Sequence, residues 1–167
     1  WFKPAVLFVI FASLIIYSFV LNSKQLHDYF HFNLDFSTKN PKVGETFTVK
    51  VFAEGKMVND LTAAQISFSY DKDKIFLTDA LAGGFFENSI VVNLDEANSS
   101  FSLMANPSAV KKGNWVNVNK PILTVTLKAI KPTLFTRFST NKFSLIYLYK
   151  TGGLYPQDVG NYIRVEK

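Results

Sequence analysis

Two histidines near the N-terminal end of the chain have the spacing of a metal site. His27 and His31 stand at i and i+4, which on a helix places both imidazoles on one face, with Asp28 beside them. Two solvated histidines at the junction between a helix and a folded domain explain the same pattern more simply. We therefore expect no metal at this position.

Acidic residues offer two further arrangements. Asp71 and Asp73 alternate in a predicted loop after a strand, and Asp79 follows, as ligands of a hard cation do. A polar loop that ends a strand accounts for them equally well. Asp95 and Glu96 are adjacent, but neighbouring residues on a strand point to opposite faces and do not form the facing carboxyl pair of a glycosidase. The sequence predicts no metal and no cofactor.

Motifs of nucleophilic and phosphate chemistry are missing from the sequence. It contains no Gly-x-Ser-x-Gly elbow, and no glycine-rich phosphate loop precedes a helix. The glycine pairs 83–84 and 152–153 are typical of turns. We predict that the chain is not an enzyme.

Aromatic residues near the C-terminal end could form a binding platform. Tyr147 and Tyr149 lie on the same face of one predicted strand, and with Trp115 or Tyr155 they could offer flat rings on which a sugar stacks. Core packing is the competing interpretation, because the chain contains 17 phenylalanines.

The N-terminal segment predicts a long hydrophobic α-helix. Residues 5–21 form an unbroken apolar run, close to the roughly 20 residues that span a bilayer. The residues after it, 22–25, offer no Ala-x-Ala-like cleavage site, so we expect the helix to be retained. Lys3 and the terminal amine favour a cytoplasmic near end. We therefore divide the chain into a helix at 1–31 and an external domain at 32–167, in which Asn98 fits the acceptor pattern for glycosylation.

From residue 32 onward the hydrophobic period changes from helical to twofold. Apolar residues alternate with polar ones at 32–36, 47–53 and, most clearly, 64–70. Further candidate strands are 74–77, 89–94, 101–105, 122–130, 134–138, 142–149 and 162–165. About nine strands at regular intervals predict an all-β sandwich of the jelly-roll or Ig-like class.

The charge distribution and the lack of cysteine exclude some classes of partner and site. The net charge is +5, but the lysines are scattered and only Lys111 and Lys112 are adjacent, so we predict no nucleic-acid partner. The chain has no cysteine, which excludes a disulfide framework and thiolate metal sites.

Three segments of the strand region carry a resemblance to a known family. They are Lys42-Val43-Gly44-Glu45-Thr46-Phe47-Thr48-Val49, Gln65 to Ile75 with its Tyr70-Asp71, and Pro121-Ile122-Leu123-Thr124-Val125-Thr126-Leu127-Lys128-Ala129. These segments resemble the opening, middle and late strands of cohesin domains. The resemblance covers about 34–165. It implies a nine-stranded jelly roll with a binding or scaffolding role toward a surface protein or glycan, and no catalysis.

The N-terminal run resembles a different group, the processed subunits of type IV-like pili, especially archaeal ones. In those filaments the helices pack together in the core, which here would involve self-association through Phe2, Ala5, Val6, Val9, Ile10, Ser13, Leu14, Tyr17 and Leu21. Ala5 stands where bacterial pilins have glutamate. The leading hypothesis is therefore a filament subunit at the cell surface that resides in the membrane before assembly. The alternative is a single-pass membrane anchor carrying a cohesin-like module outside the cell.

Overall fold

The fold is known from a computed structural model of the chain. It describes residues 29–95, 99–106, 110, 113, 115–149 and 151–167. The predicted helix residues from Phe2 to Leu21 lie outside the described residues, as do His27 and Asn98. Among the residues that are described, no helix is long and apolar enough to cross a membrane.

Within that part of the chain, the secondary structure is almost entirely β. One short 3-10 helix, Val58–Asp60, separates the second and third strands. The strands are β1 (His31–Phe36), β2 (Thr46–Glu54), β3 (Leu61–Tyr70), β4 (Ile75–Ala82), β5 (Val92–Asp95), β6 (Ser100–Met104), β7 (Leu123–Ala129), β8 (Thr133–Thr140), β9 (Leu145–Leu148), β10 (Gly152–Leu154) and β11 (Gly160–Val165).

The strands form two antiparallel sheets that pack as a sandwich. The first sheet has the order β1-β2-β7-β4. The second has the order β10-β9-β3-β6-β5, with β8 paired to β3 and β11 paired to β8. The predicted all-β sandwich is confirmed.

Strand β3 is central to the second sheet because it changes partner along its length. Its first half pairs with β9, where Ala63 lies opposite Tyr147. Its last residues pair with β8, where Ser69 lies opposite Ser139. The outer side of the second sheet therefore continues from β9 along β3 onto β8.

The core fills the space between the sheets with the inward residues of each strand. In β2 the buried positions are Phe47, Val49, Val51 and Ala53, as their alternation predicts. In β3, Ala64, Ile66 and Phe68 are buried in the same way. Ring stacking extends this core, since Phe68 lies 4.9 Å from the Phe138 centroid.

One polar residue departs from the alternation. Ser67 lies on the outer side of β3 but is fully buried. Its hydroxyl donates to Ser100 Oγ at 2.8 Å, and its amide donates to Ser144 Oγ at 3.1 Å. Because these polar groups are paired, their burial carries no large desolvation cost.

Three sequence-based expectations are wrong. His31 begins β1 rather than ending a helix, so the helical spacing of the His27–His31 pair does not apply; its Nε2 lies 3.3 Å from Glu54 Oε2. Strand β4 is longer than the predicted strand 74–77, since it continues to Ala82. The sequence does not reveal its second half because a bulge between Leu77 and Asp79 shifts the alternation. The glycines at 152–153 belong to β10 rather than to a turn alone.

A candidate docking face on the second sheet

The two sheets expose different outer faces. On the first sheet, Asp35 of β1 lies opposite Lys50 of β2, which lies opposite Thr124 of β7. Asp35 and Lys50 are exposed. This is the charged surface expected of a sheet that faces water.

The outer face of the second sheet is mainly apolar at its β9 end. A row of residues in register crosses four strands: Gly153, Tyr147, Ala63 and Met104. Tyr147 is 47% exposed and Met104 is 65% exposed. Gly153 lies beside the tyrosine ring, since a Cβ there would be in van der Waals contact with Tyr147 Cε1 at 3.4 Å.

A second row runs beside the first and crosses β9, β3, β6 and β5. It consists of Leu145, Gln65, Ser102 and Val92. Val92 is 46% exposed. None of the residues in either row carries a charge, so this docking face, defined by the two rows, combines exposed apolar side chains with short polar ones.

An open groove of about 660 Å³ lies over the first row. Its lining comes from β3, β6, β9 and the segments that follow them: Thr62, Ala63, Ser102, Met104, Ala105, Val110, Tyr147 and Tyr149. The tyrosines, the methionine and the lack of charged residues in this lining match the core of a protein interface.

Hydrogen bonds to β3 and to the short 3-10 helix before it hold the groove in place. Thr62 Oγ1 donates to the Tyr147 carbonyl at 3.0 Å, and the Tyr149 amide donates to the Asp60 carbonyl at 2.8 Å. Trp115 Nε1 donates to the Leu61 carbonyl at 2.8 Å. Backbone hydrogen bonds thus position Tyr147 and Tyr149, whereas the indole hydrogen bond and packing against the core position Trp115.

The structure brings together three of the four predicted platform residues. Tyr147 and Tyr149 line the same groove, and the Trp115 ring lies 6.0 Å from the Tyr149 ring. The two rings are inclined by 50°, so they do not form one flat platform. Tyr155 lies beyond β10, is 73% exposed and does not line the groove. Sugar binding by this group stays a prediction.

Asp71 in the β3–β4 turn and Asp79 in β4 both accept hydrogen bonds from the backbone. Asp71 Oδ1 accepts from the Asp73 amide at 3.0 Å, which closes the turn, and Asp79 Oδ1 accepts from the Ala80 amide at 2.8 Å. In the described part of the chain, no three His, Cys, Asp or Glu side chains are grouped as metal ligands.

Sequence reasoning did not identify Met104, Val92 or Ala63 as site residues. Met104 had a local signal, since in the predicted strand 101–105 it shares the outward side with Ser102. The rows themselves depend on the register between strands that are distant in sequence. That register is not visible in the pattern of any single strand.

Comparison with known proteins identifies the family. A family model described as "Cohesin domain" matches residues 32–153, from β1 into β10. The chain belongs to the cohesin family. The resemblance drawn from the strand segments is thus confirmed, whereas the pilin resemblance concerns residues outside those described. No curated protein was found to match this cohesin.

Solved cohesins share its fold at low sequence identity. A cohesin module of a Clostridium perfringens family 33 glycoside hydrolase is 13% identical with a TM-score of 0.66, covering 83% of this chain and 98% of that one. The match from a type I cohesin–dockerin complex of Clostridium thermocellum is 12% identical with a TM-score of 0.61, covering 81% of this chain and 99% of that one. A non-cellulosomal cohesin from the archaeon Archaeoglobus fulgidus is 13% identical with a TM-score of 0.59, covering 82% of this chain and 92% of that one.

Proposed function

We propose that this cohesin is a docking module whose docking face on the second sheet binds a partner protein of the dockerin kind. The observation that carries the proposal is the uncharged double row with its exposed Tyr147 and Met104. The partner class is suggested by similar solved structures, which include cohesins in complex with dockerins.

Three physical features suit this face to a protein partner. Tyrosine and methionine are enriched in the cores of protein interfaces, whereas charged residues are depleted there. The face lies on paired strands, so binding orders little backbone and loses little conformational entropy. Tyr147 stands at the centre of its row, where an aromatic side chain contributes most to affinity.

A binding role agrees with the prediction that the chain is not an enzyme. The groove lining is apolar apart from two hydroxyl groups and the phenols of two tyrosines. These groups can orient a partner but do not form a nucleophile and base pair. We infer that the face acts by shape and apolar burial.

Calorimetric titration of the 167-residue chain with purified type I and type II dockerin modules tests the proposal. We expect one dockerin class to bind, and Tyr147→Ala to weaken that binding at least about tenfold. Phe76→Ala, which removes an exposed aromatic side chain from the first sheet, is the matched control and should bind normally. Absence of binding by every dockerin, or equal weakening by both variants, would exclude the proposed face.

The filament-subunit hypothesis stays a separate prediction. It rests on residues 1–31, of which only 29–31 are described, and the findings on the described residues support partner binding instead. The predicted location outside the cell also stays a prediction. Electron microscopy of cell-surface material containing this chain, beside membrane flotation, would distinguish a polymer from a single-pass anchor.

A further inference from the structure

The chain's two arginines share one small surface far from the docking face. Arg137 lies on β8 and Arg164 on β11, and the chain contains no other arginine. Strands β8 and β11 pair with each other, so they form a two-stranded ribbon at the edge of the second sheet.

Aromatic side chains alternate with the arginines on the outer side of this ribbon. Phe135 precedes Arg137 by two residues on β8, and Tyr162 precedes Arg164 by two residues on β11. Tyr162 lies directly opposite Arg137. The rings are unusually accessible, since Phe135 is 76% exposed and Tyr162 is 66% exposed. All four side chains point outward because the residues between them, such as Ile163, are buried.

The positive charge of the ribbon is poorly compensated. Arg164 Nε lies 3.9 Å from Glu166 Oε1, and both side chains are about half exposed, so this ion pair is weak. Arg137 forms no ion pair with any residue that the structure describes. An incoming anion would therefore meet two available guanidinium groups.

Arginine and lysine recognise anions differently. The planar guanidinium donates two parallel hydrogen bonds to a carboxylate and stacks on aromatic rings, whereas the lysine ammonium acts as a point charge. An alternation of arginine and exposed aromatic residues thus suits a ligand that presents carboxylates beside apolar groups.

A groove beside the ribbon favours a peptide over a sugar polymer as the ligand. It has a volume of about 630 Å³, and its lining combines Pro132, Thr133, Leu134 and Val165 with the charged residues Arg164, Glu166 and Lys167. The apolar part of this lining accommodates the aliphatic side chain of a peptide, which an acidic polysaccharide lacks. The geometry points to a docking surface for an acidic peptide segment of a partner protein, with carboxylates on Arg137 and Arg164 and an apolar side chain in the groove.

This surface is separate from the docking face. Both lie on the outer side of the second sheet, but at opposite ends of it. The path between them runs along β3 from Ala63 to Ser69, crosses to Ser139 on β8, and follows β8 to Phe135. Ten residues at the rise of a β-strand span about 30 Å. The inference therefore stands without the proposed dockerin binding.

Fluorescence anisotropy with a labelled peptide of alternating Glu and Leu tests the inference on the 167-residue chain. We expect saturable binding that Arg137→Lys and Arg164→Lys each weaken about tenfold although the charge is kept, because the paired hydrogen bonds are lost. Lys50→Gln, which removes an exposed charge on the first sheet, should leave binding unchanged. Thermal unfolding of each variant verifies that the fold is intact.

Two competitors complete the test. A peptide of alternating Lys and Leu and the polyuronate polygalacturonate should both fail to displace the acidic peptide. Equal displacement by polygalacturonate would show an anion site without peptide specificity and would overturn the assignment. Unchanged affinity in both arginine-to-lysine variants, or no binding of the acidic peptide, would overturn it as well.

Discussion

Gly55 allows the chain after β2 to pass close to the start of the described domain. Its φ is +119°, and a Cβ there would lie 2.5 Å from the Tyr29 carbonyl oxygen. That same oxygen accepts the Met57 amide at 3.0 Å, so the close approach forms part of the turn. Gly44 also has a positive φ, +87°, but no atom lies within 4 Å of the position that its Cβ would occupy.

The two glycines make a matched pair of substitutions. Each change to alanine costs about 1–2 kcal/mol for the left-handed backbone. Gly55→Ala should lower the free energy of unfolding by about 1–3 kcal/mol more than Gly44→Ala, because the new methyl group crowds backbone atoms that cannot move aside. Urea denaturation of both variants measures the difference. Equal losses would mean that the chain does not approach Tyr29 this closely.

Phe68 connects several rings of the core. It is buried, stacks on Phe138 at 4.9 Å between centroids and lies 6.2 Å from the Phe101 ring. Phe68→Ala should reduce the free energy of unfolding by about 3–5 kcal/mol, because the cavity cannot close fully. The exposed Phe76 provides the control, since Phe76→Ala should have little effect. A loss below about 1 kcal/mol for Phe68→Ala would contradict its inward register.

Strands with one buried face are the elements that the sequence reveals best. The alternation is regular in β2 and holds in β3 apart from the buried Ser67, because every second side chain enters the core. Only the first part of strand β4 can be recognised from the sequence, since a bulge between Leu77 and Asp79 shifts the alternation. Strand β10 shows none, because its paired glycines have no side chains to alternate.

The docking face could be predicted only in part for a related reason. Tyr147 and Tyr149 stand out locally because aromatic residues at alternate positions share a side of a strand. Ala63 and Met104 become neighbours of Tyr147 only through pairing across long stretches of chain. Hydrophobic periodicity determines which way each side chain points, but not which strand lies beside it.

A charge on β6 should separate docking from folding. Met104→Asp places a carboxylate in the apolar row, so dockerin binding should fall at least about tenfold, since an unpaired charge is costly to bury. Stability should change by less than about 1 kcal/mol, because the side chain is 65% exposed. Leu81→Asp is the control, since Leu81 is 59% exposed on the first sheet. Calorimetry and thermal unfolding measure the two effects, and equal dockerin affinity in both variants would contradict the assignment.

The sandwich as a whole has an asymmetric surface. The outer side of the first sheet carries charged residues such as Asp35 and Lys50 beside the exposed apolar side chains of Phe76 and Leu81, whereas the rows at the β9 end of the second sheet carry no charge. Because the cores of protein interfaces are depleted in charged residues, this asymmetry supports the proposed docking face. The arginine and aromatic ribbon at the far end of the same sheet would give the module a second, chemically different contact.

Hydroxyl-radical footprinting of the 167-residue chain, alone and with a bound dockerin, tests the docking face most directly. Methionine and aromatic side chains react readily, so the oxidation rates of Met104, Tyr147 and Phe76 report on the two sheets in one experiment. We expect the rates at Met104 and Tyr147 to fall severalfold in the complex, because both side chains are exposed in the first row of the proposed interface. The rate at Phe76 should stay the same. Unchanged rates at Met104 and Tyr147 with protection at Phe76 would contradict the proposed docking face.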